Sequence, residues 1–551
     1  MTDPYDFIIV GSGAASVCAA LVAREAGKRP LIIEKSDKFG GTTALSGGVM
    51  WIPNSTVMAR AGAVDSEEAA RRYLDACAGD PEPASTLERR AAYLREARLA
   101  ILFLEQQGME FTYSDGWSDY YEGEYPGAMA RGRSIEAKIF NLRRLGESRH
   151  RLRRPEKPLP PVSNPEVIQL TLNGRTWTSK RAFLTVALRM LRNKLGQEWV
   201  RMGAALQARL LEIALREKID IWYDAPLQDL VLENGKIAGV VIVRNGEKVT
   251  VQSRHGVLLN AGGFSQSDEM RRTYQRPSTS RMFSAANPGD TGEVISIAMN
   301  SGAATAMMDE AWWIPTSRLA DGTVLFNVIE LARPHCMLVD SRGARFVNEA
   351  GDYCALGHAM FNRSKSVSAD PSWAILDHQH RSRYWWGLQP PGAVPKEWLE
   401  SGYMIRADSL EELAQCCGLE IETLRSSVDR FNAFAAVGVD EDFHRGRGAL
   451  SQYLGDTTSS PNPSLGAICK PPFYAVRIHA GDGGTCGGLL TDELARVLND
   501  AGLPIPGLYA TGNTTATVMG RSCPGSGATI GPSLTFGYIA ARHASGTNIR
   551  D

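Results

Sequence analysis

A glycine-rich turn near the N-terminus and an acid further along have the types and spacing that suit a phosphate-linked ligand. The turn is Gly11-Ser12-Gly13-Ala14-Ala15, and Glu34 lies 23 positions after Gly11. Gly11 permits a tight turn, and Gly13 lets the backbone approach a pyrophosphate at the N-terminus of a following helix. The carboxylate of Glu34 can accept hydrogen bonds from a ribose. These residues therefore predict a dinucleotide-binding site.

The elements around this turn read as a βαβ unit. Residues 5–10 form a short apolar run typical of a buried parallel strand, and residues 17–26 are rich in Ala, Leu and Val, as in a helix. A second apolar strand at residues 30–33 ends directly before the acid. Ser16 stands where the usual pattern has a third glycine, and a serine is small enough to keep helix and strand close. The order of these elements predicts an α/β, Rossmann-like domain.

A second glycine- and hydroxyl-rich loop at residues 35–48 distinguishes the expected cofactor. Such a loop offers backbone N–H groups and hydroxyls to a long polar cofactor, and an NAD site needs no such extension. We therefore predict FAD, and no metal. The predicted cofactor contacts are Gly11, Ser12, Gly13, Ala14, Ala15, Glu34, Lys35, Gly40, Gly41, Thr42, Thr43, Ser46, Gly47, Gly48, Leu227, Ala261, Gly262, Gly512, Asn513, Thr529, Ile530, Ser533 and Leu534.

The rest of the chain indicates one domain interrupted by another. Three apolar runs at residues 219–223, 230–231 and 237–243 predict a β-meander. The residue composition changes near residue 308, and a helical pattern covers residues 410–436. Glycine-rich segments return near the C-terminus. We predict an FAD-binding domain made of residues 1–307 and 484–551, with an α+β catalytic domain inserted at 308–483.

Composition excludes several classes of protein. The chain has 551 residues, with 60 Lys and Arg against 61 Asp and Glu, which removes the electrostatic case for a dedicated nucleic-acid binder. No apolar run approaches the roughly 18 to 20 residues needed to span a bilayer, and no secretory signal is evident. The nine cysteines lack paired spacing, which argues against a disulfide framework or an iron–sulfur module. A cytoplasmic location is expected.

A basic region at residues 131–195 leaves a second expectation open. Ten Lys and Arg stand against three Asp and Glu between residues 131 and 160, and an amphipathic basic helix follows at 181–195. Such a run is commonly a solvated linker. A basic amphipathic helix can also lie on an anionic membrane surface, so peripheral membrane attachment is the alternative.

Several blocks of the chain together resemble one known family. They are Gly11-Ser12-Gly13, residues 39–48, residues 308–313, residues 346–350 and the glycine-rich block at 481–541. In these blocks the chain is similar to the FAD-dependent 3-ketosteroid dehydrogenases, a branch of the fumarate reductase flavoprotein superfamily, over nearly its whole length. The resemblance implies a split FAD domain and the removal of two hydrogens from adjacent carbons of a cyclic ketone.

The reaction implied by this resemblance assigns roles to tyrosines. A base must take a proton from the carbon next to the carbonyl, flavin N5 takes the hydride, and donors must hold the carbonyl oxygen. By resemblance, Tyr353 is the base and Tyr120 its helper, with Tyr121 as the second choice for helper. Gly527 matches a backbone donor to the ketone oxygen. An external electron acceptor completes the reaction.

The chain departs from the family at one position. Where the family has a third tyrosine that binds the ketone oxygen, this chain has Cys523, and a thiol is a weak donor. Either the hydroxyl of Tyr474 or Ser526 reaches that oxygen, or the carbonyl sits differently. The departure leaves the regiochemistry open between the Δ1 and Δ4 positions of a 3-ketosteroid.

Other functions are also compatible with the sequence. One is the dehydrogenation of a smaller cyclic ketone such as cyclohexanone. Another is a fumarate-type reductase, although Trp313-Ile314-Pro315-Thr316 lacks the histidine of that branch and its aromatic neighbours favour a flat apolar substrate. A third alternative function is that of an electron carrier without a substrate of its own.

Overall fold

The computed structural model describes residues 4–155 and 160–547. Residues 1–3 and 548–551, at the ends of the two predicted FAD-domain segments, lie outside the described residues. Residues 156–159 of the predicted basic region also lie outside them.

Within these ranges the chain alternates between strands and helices. The strands are β1 (Phe7–Val10), β2 (Pro30–Ile33), β3 (Val49–Trp51), β4 (Phe111–Tyr113), β5 (Ser134–Ala137), β6 (Phe140–Asn141), β7 (Trp199–Val200), β8 (Asp220–Trp222), β9 (Leu227–Glu233), β10 (Lys236–Arg244), β11 (Glu247–Gln252), β12 (Val257–Leu259), β13 (Thr305–Ala306), β14 (Ala311–Arg318), β15 (Val324–Phe326), β16 (Cys336–Val339), β17 (Ser372–Asp377), β18 (Met404–Ala407), β19 (Phe473–Thr485), β20 (Gly488–Leu489), β21 (Arg496–Leu498) and β22 (Pro504–Ala510). The α-helices are α1 (Ala14–Glu25), α2 (Gly41–Leu45), α3 (Thr56–Arg60), α4 (Glu67–Ala78), α5 (Leu87–Gln106), α6 (Asn164–Thr171), α7 (Trp177–Lys194), α8 (Met202–Arg216), α9 (Asp268–Tyr274), α10 (Glu293–Asn300), α11 (Val328–Ala332), α12 (Tyr353–Ser364), α13 (His378–Arg383), α14 (Lys396–Glu400), α15 (Leu410–Cys417), α16 (Ile421–Val437), α17 (Ala449–Leu454) and α18 (Ile530–Ala544). Short 3₁₀ segments cover Leu142–Arg151, Arg281–Phe283 and Gly512–Thr514.

The first sheet brings both ends of the chain together. Its order is β21-β22-β12-β1-β2-β8, with β22, β12, β1, β2 and β8 parallel and β21 antiparallel at the edge. The strands at its centre are buried on both faces, which explains their continuous apolar sequence. This sheet confirms the predicted α/β, Rossmann-like fold.

The serine at the third glycine position binds two parts of this sheet together. Ser16 Oγ donates to the Gly11 carbonyl at 2.8 Å, and Asn260 Nδ2 donates to Ser16 Oγ at 2.8 Å. Helix α18 packs closely against α1, the helix that carries Ser16. A Cβ on Gly537 of α18 would lie 2.8 Å from Ala15 Cβ. Ser16 therefore keeps α1 close to β1 and adds hydrogen bonds that a glycine would lack.

The predicted meander was partly wrong. Residues 220–222 form β8, which pairs in parallel with β2 in the first sheet. The three-stranded antiparallel sheet consists of β9, β10 and β11 instead. The strand β8 follows α8, and a strand reached through a helix joins a sheet in parallel, whereas β9 to β11 are linked by tight turns.

The second large sheet lies in the region predicted as the inserted domain. Its order is β15-β14-β19-β17-β16, and β18 also pairs with β19. The helical pattern predicted over 410–436 consists of two helices, α15 and α16, because α15 ends at Gly418 in a left-handed conformation. The strand β19 passes through residue 483, the last residue of the predicted insertion. The two domain boundaries, at 307/308 and 483/484, stay a prediction.

The basic helix predicted at 181–195 is α7, which begins slightly earlier, at Trp177. Among the described residues, no helix is long and apolar enough to cross a membrane.

Candidate active site

One cavity of about 450 Å³ extends from the end of β1 to Tyr353. Its volume lies in the range of about 300 to 1,000 Å³ typical of small-molecule sites. Three predicted catalytic residues, Tyr120, Tyr353 and Gly527, lie on its wall together with most of the predicted cofactor contacts. Those contacts are Gly11, Ser12, Gly13, Ala14, Glu34, Lys35, Gly41, Thr42, Thr43, Ser46, Gly47, Gly48, Leu227, Ala261, Gly262, Gly512, Asn513, Thr529, Ile530 and Ser533.

The helix that follows the first glycine turn presents an open N-terminus to the cavity. Gly13 at its N-cap is extended, no side chain caps the first amides, and the first turn of α1 carries no acid. The first amides of a helix have no partner within the helix and bind anions well. This end of the cavity therefore fits a pyrophosphate.

The acid after β2 is held in place by two serines. Ser12 Oγ donates to Glu34 Oε2 at 2.5 Å, and Ser36 Oγ donates to Oε1 at 3.0 Å. Oε1 also accepts from the N–H of Ser36 at 3.0 Å, whereas Oε2 can accept a second hydrogen bond, and Glu34 lies on the cavity wall. The residues at this end fit the adenosine half of FAD.

Two glycines lie where segments of the cavity wall approach each other closely. A Cβ on Gly48 would lie 2.3 Å from the backbone nitrogen of Gly203, and a Cβ on Gly262 would lie 2.5 Å from Asp290 Oδ1. Both glycines also have a positive φ, which a larger residue adopts only with strain. Their lack of a side chain lets the segments that form the wall approach one another this closely.

Three predicted cofactor contacts do not reach the wall. Ala15 is buried against α18. Gly40 donates its N–H to Ser12 Oγ at 2.8 Å and so supports the loop rather than lining it. Leu534 is fully buried within α18, where the turn of the helix directs it into the core.

At the other end of the cavity two tyrosines meet edge to face. The ring centroids of Tyr120 and Tyr353 lie 5.2 Å apart with an interplanar angle of 68°. The backbone of Tyr120 is held against the C-terminal segment around Pro524, since its N–H donates to the Pro524 carbonyl at 3.0 Å. The carboxylate of the preceding residue, Asp119, accepts from Trp51 Nε1 at 2.9 Å and is ion-paired with Arg133. The loop and α12 together bring the two predicted residues into contact.

Tyr121, the second choice for the helper, does not line the cavity. Its hydroxyl donates to Asp352 Oδ2 at 2.7 Å. Asp352 also caps α12 by accepting from the N–H groups of Cys354 and Ala355. Tyr120 and Tyr121 therefore face different partners, and Tyr121 connects the loop to the helix that carries Tyr353.

Burial dominates the acid–base properties of this end. It raises the pKa of both Tyr120 and Tyr353 well above the usual value of a phenol, and it raises the pKa of Asp352 to about 6. No described residue makes a hydrogen bond of good geometry with the Tyr120 hydroxyl, but the hydroxyls of Tyr353 and Ser526 lie close enough to lower its pKa. An unpartnered buried hydroxyl is costly, which indicates that a ligand or water completes this site.

Cys523 is not on the cavity wall. It is buried, and its thiol donates to the Gly525 carbonyl at 3.6 Å. Its sulfur belongs to the one group of potential metal ligands among the described residues, with Asp352 and Cys354, whose ligand atoms lie within 4.8 Å of one another. Burial raises the pKa of the Cys354 thiol well above its usual value, which disfavours the thiolate that a metal needs. The absence of a metal stays a prediction.

Several residues of the wall were not singled out from the sequence as site residues. Asp290 accepts from Thr42 Oγ1 at 2.7 Å, and burial raises its pKa to about 7. Trp312 donates through Nε1 to Asn513 Oδ1 at 3.2 Å. The glycine-rich run at 287–293 and the tryptophan pair at 312–313 were the signals available for them. Further wall residues of this kind are Trp117, Asn260, Ile314, Phe326, Val328 and Ile329.

Comparison with known proteins places the chain among flavoproteins. A family model described as "FAD binding domain" matches residues 6–530. The 3-oxosteroid 1-dehydrogenase of Mycolicibacterium smegmatis is 39% identical, over 98% of this chain and 97% of its own. The 4-oxocyclohexanecarboxylate 2-dehydrogenase of Sinomonas cyclohexanicum is 33% identical, over 98% of this chain and 93% of its own.

A solved structure is similar over the whole fold. The 3-ketosteroid delta1-dehydrogenase from Sterolibacterium denitrificans, in complex with 1,4-androstadiene-3,17-dione, superposes with a TM-score of 0.92 at 36% identity. The match covers 99% of this chain and 100% of that one.

Proposed function

The chain belongs to the FAD-dependent 3-ketosteroid dehydrogenase family, within the fumarate reductase flavoprotein superfamily, and we propose that it catalyses the Δ1-dehydrogenation of a 3-ketosteroid. The observation that carries this proposal is the Tyr120–Tyr353 pair, 5.2 Å apart between ring centroids, at one end of a cavity whose other end fits FAD. Bound FAD supplies the hydride acceptor.

The residues of the chain handle the proton and the carbonyl. Tyr353, as the phenolate, takes the proton from the carbon next to the ketone and becomes a neutral phenol. Before this transfer the neighbouring Tyr120 hydroxyl stabilises the phenolate by donating a hydrogen bond to it. Because both phenols are buried, a charge on either oxygen is costly unless the other hydroxyl hydrogen-bonds to it. Gly527 offers an N–H that makes no hydrogen bond with the described residues, and it faces the ketone oxygen, where negative charge develops.

The wall of the cavity favours an uncharged substrate. Beyond the tyrosines it is lined by large apolar side chains, including Trp117, Trp312 and Phe326. Lys35 is the one cationic residue among the described residues of the wall, and it is ion-paired with Glu293. A carboxylate would therefore lose its hydration without gaining a free cation. This charge distribution supports a steroid ketone over an oxocyclohexanecarboxylate or a fumarate dianion.

An anaerobic bleaching assay tests this function. The purified protein, loaded with FAD, is mixed with a saturated 3-ketosteroid, a 3-keto-4-ene steroid, cyclohexanone, 4-oxocyclohexanecarboxylate or, after reduction, fumarate. We expect the 3-keto-4-ene steroid to bleach the flavin fastest and to yield the 1,4-diene on product analysis. Bleaching by the carboxylate but by no steroid would refute the proposal, and so would desaturation at the Δ4 position alone. Removing two hydrogens releases two electrons, so we expect continued turnover only with an added external acceptor such as a redox dye.

A second part of the proposal concerns α7, whose outer side is apolar. Trp177, Leu184, Leu188, Leu191 and the following Leu195 are each at least half exposed, with fractions of 85%, 64%, 50%, 53% and 77%. Spacings of three, four and seven residues put them in one stripe along the helix. We call these five residues the α7 stripe. A stripe of this length in contact with water alone would be unfavourable.

The charges beside the α7 stripe point to an anionic lipid surface. Lys180, Arg181 and Arg192 flank it, and α7 carries no acidic residue. A helix with this pattern lies in the plane of a membrane interface with its apolar side inserted. The neighbouring helix α6 packs on α7 and contributes Asn164 and Val167 to the cavity wall. Attachment here would bring the cavity close to a steroid dissolved in lipid. The cytoplasmic location stays a prediction.

Vesicle flotation tests the membrane contact. We expect the protein to float with vesicles that contain phosphatidylglycerol and to remain at the bottom with pure phosphatidylcholine. Leu188→Glu should abolish flotation, whereas Leu232→Glu, at a leucine on β9 that is at least as exposed, should leave it unchanged. Equal flotation of both variants would refute a role for the α7 stripe.

A further inference from the structure

The position of Cys523 removes it as a donor to the substrate. Its thiol is directed at the Gly525 carbonyl, 3.6 Å away, and the residue is 2% exposed and absent from the cavity wall. Tyr474, the other tyrosine considered from the sequence, is buried in β19 and also does not line the cavity. Another group must therefore take the place of the family's third tyrosine.

We infer that the hydroxyl of Ser526 is the second donor to the substrate's ketone oxygen, beside the N–H of Gly527, an assignment that rests on the proposed function. Both residues lie on the cavity wall and are partly exposed to it. They are consecutive in the chain, so a hydroxyl donor and a backbone donor open onto the same small volume.

The surrounding hydrogen bonds hold the turn in this orientation. The Ser526 carbonyl accepts from Ser134 Oγ at 2.8 Å, and the Gly527 carbonyl accepts from the N–H of Trp51 at 3.1 Å. Gly527 has a φ of 94°, and a Cβ there would lie 2.5 Å from the backbone of Met50. The carbonyl oxygens are thus bonded to the protein, while the donors of these two residues make no hydrogen bond of good geometry with the described residues.

The Tyr120–Tyr353 pair lies beside the turn at 525–527. Ser526 is near enough to Tyr120 to lower the pKa of the phenol, against the larger effect of burial. A ketone whose oxygen meets Ser526 therefore has its neighbouring carbon close to Tyr120 and Tyr353, which is the arrangement that enolate formation requires. The short hydroxyl of Ser526 replaces a longer phenol that the family carries three residues earlier, at position 523, so the carbonyl lies nearer to the turn at 525–527.

Four variants test this assignment. Ser526→Ala should lower the rate of flavin bleaching by roughly 10² to 10³, the usual cost of removing one donor at a developing oxyanion. Ser526→Thr, which keeps the hydroxyl, should restore most of the rate. Ser522→Ala is the matched control, since its hydroxyl donates to the Met519 carbonyl in the same loop. Cys523→Ala should change the rate by less than about tenfold.

A binding measurement separates this role from a structural one. A steroid with a phenolic A ring resembles the enolate, and its ultraviolet spectrum shows the fraction that is ionised when bound. We expect Ser526→Ala to lower that fraction and Ser522→Ala to leave it unchanged, with FAD content and melting temperature as in the unmodified protein. An unchanged rate and ionised fraction in Ser526→Ala would overturn the assignment, as would a loss of 10² or more in Cys523→Ala. Failure of the proposed function would show differently, as an unmodified protein that no ketosteroid bleaches.

Discussion

The two ends of the cavity are built in different ways. The end that fits FAD consists largely of backbone: glycines with positive φ, the open amides of α1, and one acid held by two serines. The opposite end consists of side chains, with Tyr120, Trp312, Tyr353 and Ser526 drawn from distant parts of the sequence. Backbone can bind a long phosphate-linked cofactor because every N–H is a donor, whereas moving a proton requires a particular side chain at a particular place.

Helix caps show the same difference. The N-cap of α1 is Gly13, with no capping side chain, so its amides remain available to a ligand. The N-cap of α12 is Asp352, whose carboxylate accepts from two amides of its own helix and from the hydroxyl of Tyr121. The first helix leaves its donors for the cofactor, and the second uses them to fix the residue that follows the cap, Tyr353. Changes at the catalytic end should therefore affect rate, and changes at the cofactor end should affect binding.

The largest effect is expected for Tyr353→Phe. It removes the proposed base without changing the ring, so the rate of flavin bleaching should fall by roughly 10² to 10⁴ while FAD stays bound. Stopped-flow absorbance measures the rate, and the flavin spectrum measures the bound FAD. Tyr125→Phe, at an exposed tyrosine in the loop that carries Tyr120, is the control and should bleach normally. Undiminished bleaching in Tyr353→Phe would contradict the contrast between the two ends.

A smaller effect is expected from Gly48→Ala, which tests the cofactor end. The added Cβ would lie 2.3 Å from the backbone of Gly203 at a φ of 66°, so strain of about 1 to 3 kcal/mol is expected in the wall. Fluorescence titration should show weaker FAD binding, roughly tenfold or more. Gly235→Ala provides the control, because Gly235 also has a positive φ but nothing lies within 4 Å of its Cβ position. Equal FAD affinity in the two variants would mean that the wall at Gly48 tolerates displacement.

The third prediction concerns Asp352→Asn, at the connection between the catalytic loop and α12. Losing one charged acceptor for Tyr121 should cost about 1 kcal/mol, or roughly fivefold in bleaching rate. Asp377→Asn is the matched control, because Asp377 is a buried N-cap on α13 that does not line the cavity. It should lose stability but not bleaching rate. Equal rates in both variants would show that Asp352 is only a cap.

The raised pKa of Asp352 predicts that the stability of the protein depends on pH. Burial raises the pKa of Asp352 to about 6 from an ordinary value of 3.8, so the unfolded state loses this proton first as pH rises. The carboxyl therefore contributes stability below about pH 4 that is lost as pH rises through about 6. The melting temperature of the unmodified protein should fall relative to Asp352→Asn between pH 4 and pH 7. A constant difference over this range would contradict the raised pKa.

The smallest effect is expected for Glu34→Gln. The amide keeps the shape of the side chain but weakens its hydrogen bonds to Ser12, Ser36 and the cofactor, at a cost of about 1 kcal/mol. FAD affinity should fall roughly fivefold, while bleaching of the fully loaded enzyme stays unchanged. Glu25→Gln, at an exposed position on α1, should alter neither. A loss of bleaching in fully loaded Glu34→Gln would contradict the separation between FAD binding at one end of the cavity and catalysis at the other.

The sequence predicted most where the signal is local. The turn at 11–15 and the acid at 34 belong to one βαβ unit, so their spacing in the sequence determines their relative positions. The first sheet confirms this unit. Local patterns also misled where pairing is distant: the run at 219–223 reads like the strands that follow it, but it pairs with β2. A similar cause explains why three predicted cofactor contacts, Ala15, Gly40 and Leu534, do not line the cavity. Proximity in sequence to a cofactor loop does not determine which way a residue faces.

The sequence by itself determined the class of the protein: an α/β fold, an FAD site and, through blocks spread along the chain, the family. Only the tertiary structure decided which tyrosine meets Tyr353, that Cys523 is directed away from the cavity, that Ser526 faces it, and that the α7 stripe is exposed. The physical reason is that short-range chain geometry follows from residue type. The direction of a side chain in a loop depends instead on packing against elements hundreds of residues away.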